Sequence, residues 1–594
     1  MGFQRFFLLL LALILTSCRN DGDDEVLVEE RKTPMPMVID TQTYPTDTDA
    51  IASAMADSQL NFWSDSPHDI LAAAITEKMT DEELLAQLFM FGWHGQEPTP
   101  FLLRWIRERS LGSVKIFGWN SENLDKIIES VNTVQTAVES TRFKIPLFVA
   151  TDQEGGWIRH VKGETSVTPG NMAIGASSVP ADAYYSAFYI SRELRALGIN
   201  MNFAPTIDIF TDYDSTIIGS RSFGEDAEAV GILGAAFIAG ATDAGLLSTA
   251  KHFPGHGDTS LDSHGYLPVI NISKETFYDR EILPFRHAID ENVAAIMSGH
   301  LSFPRVSGTK EPASLSTFYL QEILRKELNF KGLIITDDMQ MNGAVMYAGN
   351  FSEAVHQAIA AGNQILCASI TPDLDSAMWV KNLSLMATDE KFRSIVKKSA
   401  YGVIVAKLQY FKHENSVPIF PDGKDMAEKI PDKEGTDFFL DQAVRSITLK
   451  KGDFFPIDLD KAGRILLVGQ FDEFFEAGKR RFPDANQWSY NYSIGPIETL
   501  WNLDHFPAFA RNYDTIITCV ATEESLRITR RLRYLGKKVI VVSALSPIFV
   551  EDLDWADTIL LAYSYSGFSF EAAFAALAGD FVPTGEIPFK DTDG

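Results

Sequence analysis

The stretch LLSTAKHFPGHGDTSLDSH, residues 246–264, begins as one kind of structure and ends as another. Its first half is the short apolar run of a strand covered on both faces. Lys251 and His252 stand where that run ends. The second half sets His256, Asp262 and His264 among Pro254, Gly255 and Gly257, residues that break regular elements and shape loops. A buried strand that hands over to a loop dense in ionisable groups is a pattern worth seeking elsewhere.

It recurs. LFMFGW (88–93), SVKIFG (113–118), PLFVATD (146–152), NMNFAPTID (200–208), AAIMSGH (294–300), LIITDD (333–338) and QILCAS (364–369) bring the runs, with 246–253, to eight. Helical patterns such as DKIIESVNTVQTAVES and LSTFYLQEILRKEL separate most of them, and a capping box, Thr80 with Glu83, announces an early helix. Alternating β and α segments mean a parallel sheet covered by helices. Eight repeats predict an α/β fold closed as a (β/α)8 TIM-type barrel. Asp152, Asp208, Lys251, His252, His300 and Asp337 all fall at or just past the C-terminal ends of their runs. A doubly wound open sheet gathers such residues at one crevice only, whereas a barrel brings every strand end to one face. The distribution favours the barrel.

The barrel is assigned to 66–412, followed by a turn-rich, charged linker at 413–431. From 432 to 594, the runs GRILLVG, DTIITCV, KVIVVSAL and DTILLAYS predict a second, smaller α/β sandwich-like domain. IGPIETL and GKRRFPD lack the glycine spacing of a nucleotide loop. The opening MGFQRFFLLLLALILTSC has an apolar run too short to span a bilayer and suited to a secretory signal. Ending in LTSC, it resembles a bacterial lipoprotein signal over 1–18, which implies cleavage before Cys18 and lipidation of its thiol; an ordinary signal with an incidental cysteine is the alternative. The acidic segment within 19–65 then reads as a tether and lead-in, with the body held at the cell envelope through lipid alone. Cys367 and Cys519 lie in apolar runs and are expected as buried free thiols. With 52 basic against 80 acidic residues, net −28, the chain offers no patch to neutralise phosphates, which argues against nucleic acid.

Three histidines in one loop raise the question of a metal. HExxH is absent and Lys251 would set a cation beside a cation, so neither metal nor cofactor is expected. His256 reads as structural. Asp262 and His264, two apart, can face each other across a turn, so that the carboxylate fixes the tautomer and raises the basicity of the other ring nitrogen. A histidine so held suits proton transfer. In LIITDD, Asp338 suits a helix N-cap, leaving Asp337 to point into the barrel mouth as nucleophile or charge stabiliser. VATDQEGG delivers Asp152 to a strand end in the same way. In GSRSFGED, Arg221 either binds a polar ligand through its planar fork or braces the surface against Glu225 or Asp226. Carboxylates, an arginine, a lysine and histidines without a metal motif suit a polyhydroxy ligand, and glycoside hydrolysis needs just such an acid and nucleophile.

In this order, DQEGG, NFAPTIDI, GSRSFGED, KHFPGHGDTSLDSH, SGHLSFP and KGLIITDDMQMNGA resemble glycoside hydrolase family 3, in its bacterial β-N-acetylhexosaminidase branch. GFSFEAAFAAL and the following PTGEIPF resemble, more loosely, the end of that family's smaller domain. The resemblance implies that Asp337 is the catalytic nucleophile and that His264, oriented by Asp262, is the acid/base. It implies that Asp152, Arg221, Lys251 and His252 hold the sugar. Where the family commonly has arginines after DQEGG, this chain has Trp157 and His160, so a sugar contact at His160 is weaker or differently made. The implied reaction is retaining, exo-acting removal of β-linked N-acetylglucosamine from muropeptide fragments or related glycans. Action on plain β-glucosides, phosphorolysis, and a sugar-binding lipoprotein without turnover are the alternatives.

Overall fold

The computed structural model describes residues 38–590; the lipoprotein signal and Cys18 lie outside the described residues. The eight expected runs all form strands: β1 (Phe89–Phe91), β2 (Ser113–Lys115), β3 (Phe148–Thr151), β4 (Met201–Asn202), β5 (Leu247–Phe253), β6 (Ala295–Ser298), β7 (Leu333–Thr336) and β8 (Leu366–Ala368). Each pairs in parallel with the next, β8 pairs with β1, and a bridge between Ile335 and Ile365 joins β7 to β8. The barrel is therefore the predicted (β/α)8 type. Every residue of β3, β5, β6 and β7 is buried, as expected for strands with a packed interior on one side and helices on the other.

β4 is shorter than its sequence run. Pro205 cannot donate to a ladder, and after Asn202 the regular pairing with β5 gives way to a bridge from Thr206 to Lys251 and a bond from Thr249 N to Ala204 O at 3.0 Å. The segment stays buried as far as Phe210 all the same. The capping box forms, with the Thr80 hydroxyl accepting from Glu83 N and the Glu83 carboxylate from Thr80 N. The lead-in packs on the barrel: Ile39, Ile51 and Phe62 join its core, and Thr41 N donates to Lys331 O at 2.9 Å. The segment at 413–431 carries a helix over Gly423–Lys429.

The second domain is a six-stranded sheet with apolar cores on both faces. To the four expected strands, β10 (Ile465–Gly469), β12 (Thr515–Val520), β13 (Lys538–Ser543) and β14 (Thr558–Leu561), it adds two at its edges, β9 (Thr448–Gly452) and β11 (Asn486–Ser489). Only β9 runs antiparallel. Edge strands face water on one side, and TLKKG and NQWS lack the apolar runs of the centre. Cys367 and Cys519 are buried and unbridged.

Candidate active site

Strand ends on the C-terminal face deliver the ionisable groups. Asp152 follows β3 and meets two lysines, Lys115 at the end of β2 (Nζ–Oδ2 2.8 Å) and Lys251 on β5 (Nζ–Oδ1 2.7 Å). Lys251 Nζ also lies 2.7 Å from Glu154 Oε1. Arg221 grips Glu154 with two prongs, Nε to Oε2 at 2.9 Å and Nη2 to Oε1 at 2.8 Å. Three cations thus surround two buried carboxylates. Burial alone would raise both acids, but Lys115, Lys251 and His160 hold Asp152 well below the usual carboxylate range, and Arg221 and Lys251 bring Glu154 down to about 2.

This settles the partner of Arg221. It pairs neither with Glu225, which accepts from the Tyr213 hydroxyl, nor with Asp226, whose side chain caps the helix Ala227–Asp243. His160 closes the cluster at 3.4 Å from Asp152 Oδ2, its ring against Phe117. Burial pushes its pKa down to about 4, against the pull of Asp152, so near neutrality it is an uncharged imidazole where an arginine would carry charge. Trp157, at the turn of the short hairpin that follows Asp152, is exposed.

A second carboxylate, Asp208, is completely buried after β4. Its Oδ2 lies 2.7 Å from His252 Nδ1, and its Oδ1 accepts from the backbone N–H of His252 (3.1 Å) and of His256 (2.7 Å). The His252 ring is fixed through one nitrogen, leaving Nε2 for other work.

Asp337 follows β7, its N–H donating to Ser298 O at 3.0 Å and its Oδ1 accepting from Asp338 N at 2.8 Å. Burial opposes its charge, yet His252, His300, the Asp338 N–H and Lys115 together bring it to about 2. Asp338 behaves differently. Burial raises it, and its carboxylate accepts from the Ser369 hydroxyl and from Gln340 N. The N-cap reading of Asp338 is corrected here: it closes a turn before the helix Asn342–Ala348, whose cap is Met341. His300 is buried, with Nδ1 2.7 Å from Ser314 Oγ and Nε2 3.0 Å from Asp338 O.

The Asp262–His264 pair forms as expected. Oδ1 of Asp262 lies 2.7 Å from His264 Nδ1 and accepts from His264 N at 2.9 Å. The pair stands on an exposed loop, the His264 side chain being 72% accessible. Two backbone bonds tie this loop to the turn after Asp337: Asn342 N donates to His264 O and Gly343 N to Ser263 O, each at 3.2 Å.

The structure therefore gathers Asp152, Arg221, Lys251 and His160 in one cluster, holds His252 on the second carboxylate Asp208, sets Asp337 within electrostatic reach of His252 and Lys115, and ties the Asp262–His264 loop to the segment carrying Asp337. Lys115 and Glu154 were absent from the expected site. A lysine inside the apolar run SVKIFG was a signal for the first, and the acid two residues past Asp152 for the second.

A parallel eight-stranded barrel with its charged cluster at the C-terminal mouth defines the class. The glycosyl hydrolase family 3 N-terminal domain matches residues 79–392, and the chain belongs to that family. It is 36% identical over 260 residues to β-hexosaminidase A of Pseudoalteromonas piscicida, covering 41% of this chain and 43% of that one. It is 36% identical over 256 residues to a β-hexosaminidase of Haemophilus influenzae, covering 42% of this chain and 70% of that one. Among solved structures, a family 3 β-N-acetylglucosaminidase from Paenibacillus sp. str. FPU-7 superposes with a TM-score of 0.78 at 28% identity, over 86% of this chain and 99% of that one. A β-glucoside phosphorylase shares the fold, with a TM-score of 0.74 at 22% identity over 93% of this chain and 98% of that one.

Proposed function

We propose that this chain is a retaining, exo-acting β-N-acetylglucosaminidase. The observation that carries the reading is the Asp262–His264 pair, joined at 2.7 Å on a loop bonded to the segment that bears an ionised Asp337. An anionic carboxylate is a nucleophile for an anomeric carbon, and an imidazole oriented by a carboxylate can give and take a proton. In the first step the Asp337 carboxylate bonds to the anomeric carbon while His264 protonates the departing oxygen. In the second, His264 takes a proton from water, whose oxygen displaces Asp337 and restores the β configuration. Asp152, Lys251, His252, His160 and the Glu154–Arg221 pair supply fixed donors and acceptors for the sugar.

The likeness to β-hexosaminidases and to a β-N-acetylglucosaminidase supports N-acetylglucosaminides over plain glucosides. Muropeptide fragments are the proposed natural source, and the LTSC signal supports lipid anchoring through Cys18 at the cell envelope. The test is release of 4-nitrophenol by purified protein, which should be much faster from the β-N-acetylglucosaminide than from the β-glucoside, with phosphate adding nothing. A preference for the glucoside, a strict need for phosphate, or binding without turnover would each replace this reading.

A further inference from the structure

The residues of the Asp262–Ser263–His264 segment differ sharply in exposure. The Asp262 and His264 side chains are 41% and 72% accessible, whereas Ser263 is 3% accessible. The bonds within the pair fix its internal shape, since both run between residues two apart, but they do not fix where the pair stands. Location must come from groups that reach beyond residues 262–264, and Ser263 carries two of them. Its hydroxyl lies 3.2 Å from His256 Nε2, and its carbonyl accepts from Gly343 N at 3.2 Å.

Each contact leads to the site. His256 is buried and held by its backbone N–H on Asp208 Oδ1 at 2.7 Å, the same carboxylate that fixes His252. Among the described residues its Nδ1 has no hydrogen-bond partner, and Ser263 is the one side chain bonded to the ring. Burial, with His252 nearby, pushes the His256 ring down to about 4, so it stays a neutral group with one donor and one acceptor. On the other side, a Cβ on Gly343 would stand 3.1 Å from both Ser263 O and Tyr266 O, so the loop sits directly on that glycine.

We infer that Ser263, clasped between the His256 ring and the Gly343 backbone, positions the Asp262–His264 pair relative to Asp337. Ser263 and His256 are positioning residues that act through His264. This rests on the reading of His264 as the proton donor. Misplacement by about 1 Å costs up to about a hundredfold where geometry controls a proton transfer.

The experiment compares kcat/KM for two substrates, N,N′-diacetylchitobiose, whose sugar leaving group needs a proton, and 2,4-dinitrophenyl β-N-acetylglucosaminide, whose leaving group does not. Ser263→Ala and His256→Phe should lose about a hundredfold on the first and stay within about threefold on the second. Gly343→Ala, which pushes the loop from the opposite side, should show the same split. His256→Gln, which keeps an amide to meet Ser263, should recover most of the loss. Equal losses on both substrates, or none on either, with wild-type protein active, would overturn this inference alone. Wild-type protein inactive on both would overturn the reading beneath it as well.

Discussion

Asp337 and Asp338 are sequence neighbours with opposite tendencies. Asp337 is drawn to about 2 by the site's histidines and Lys115 against the cost of burial, while Asp338 is raised by burial and bonded to Ser369. Asp337→Asn should therefore lose about a thousandfold or more in kcat, and Asp338→Asn far less, measured on the nitrophenyl substrate. A nucleophile with a value near 2 is ionised throughout the working range, so it adds no acid limb to kcat/KM above about pH 3. Glu154 makes a different kind of prediction. Its pKa in the fold is about 2, below the ordinary 4.5, so its stabilising contribution is complete above about pH 4.5 and fades as the pH falls toward 2. Glu154→Gln leaves Arg221 buried without its carboxylate, and should cost about 3 kcal/mol in denaturant unfolding at pH 7 while flattening the acid side of the stability profile.

At the scale of elements, the loop after β5 is pressed against the segment that follows β4. A Cβ on Gly257 would come within 1.6 Å of Ile209 O, a distance no side-chain adjustment relieves. Gly257→Ala should move backbone, costing about 1–3 kcal/mol in denaturant unfolding and weakening the hold of the loop on His264. The barrel strands were legible in the sequence because strands buried on both faces are apolar from end to end, and a charge at the end of such a run stands out. β9 and β11 were not legible, because an edge strand obeys no such constraint. The site divides in the same way. Asp337 and Lys251 end strands and announce themselves. The grip of Arg221 on Glu154 joins residues far apart in the chain, and only the closure of the barrel brings them within 3 Å. The burial of Ser263 between two exposed partners has no signature in a pattern of residue types.

For the whole molecule, the two domains share a core. Met172, Ala173, Ala176 and Phe210 of the barrel pack in one cluster with Phe506, Tyr513 and Val541 of the second domain. The C-terminal segment returns to the barrel, with Phe589 against Phe210 at 5.5 Å, Pro588 O accepting from Glu225 N and Glu586 N donating to Ala176 O. Arg445 adds an ion pair at 2.6 Å to the buried Asp182. With apolar surface common to both, the domains should unfold in one calorimetric transition. Phe589→Ala should lower its midpoint, at a cost of about 3 kcal/mol. Two separate transitions in wild-type protein would contradict this coupling.

The central claim is a covalent bond between Asp337 and the sugar, and the direct measurement is to trap it. In His264→Ala, 2,4-dinitrophenyl β-N-acetylglucosaminide still loses its leaving group without help, but the step that needs the base stalls. Mass spectrometry of the quenched, digested protein should find an N-acetylglucosaminyl adduct on the peptide that begins after Lys331, with the modification at Asp337. An adduct on another residue, or none while the dinitrophenol is still released, would contradict the account.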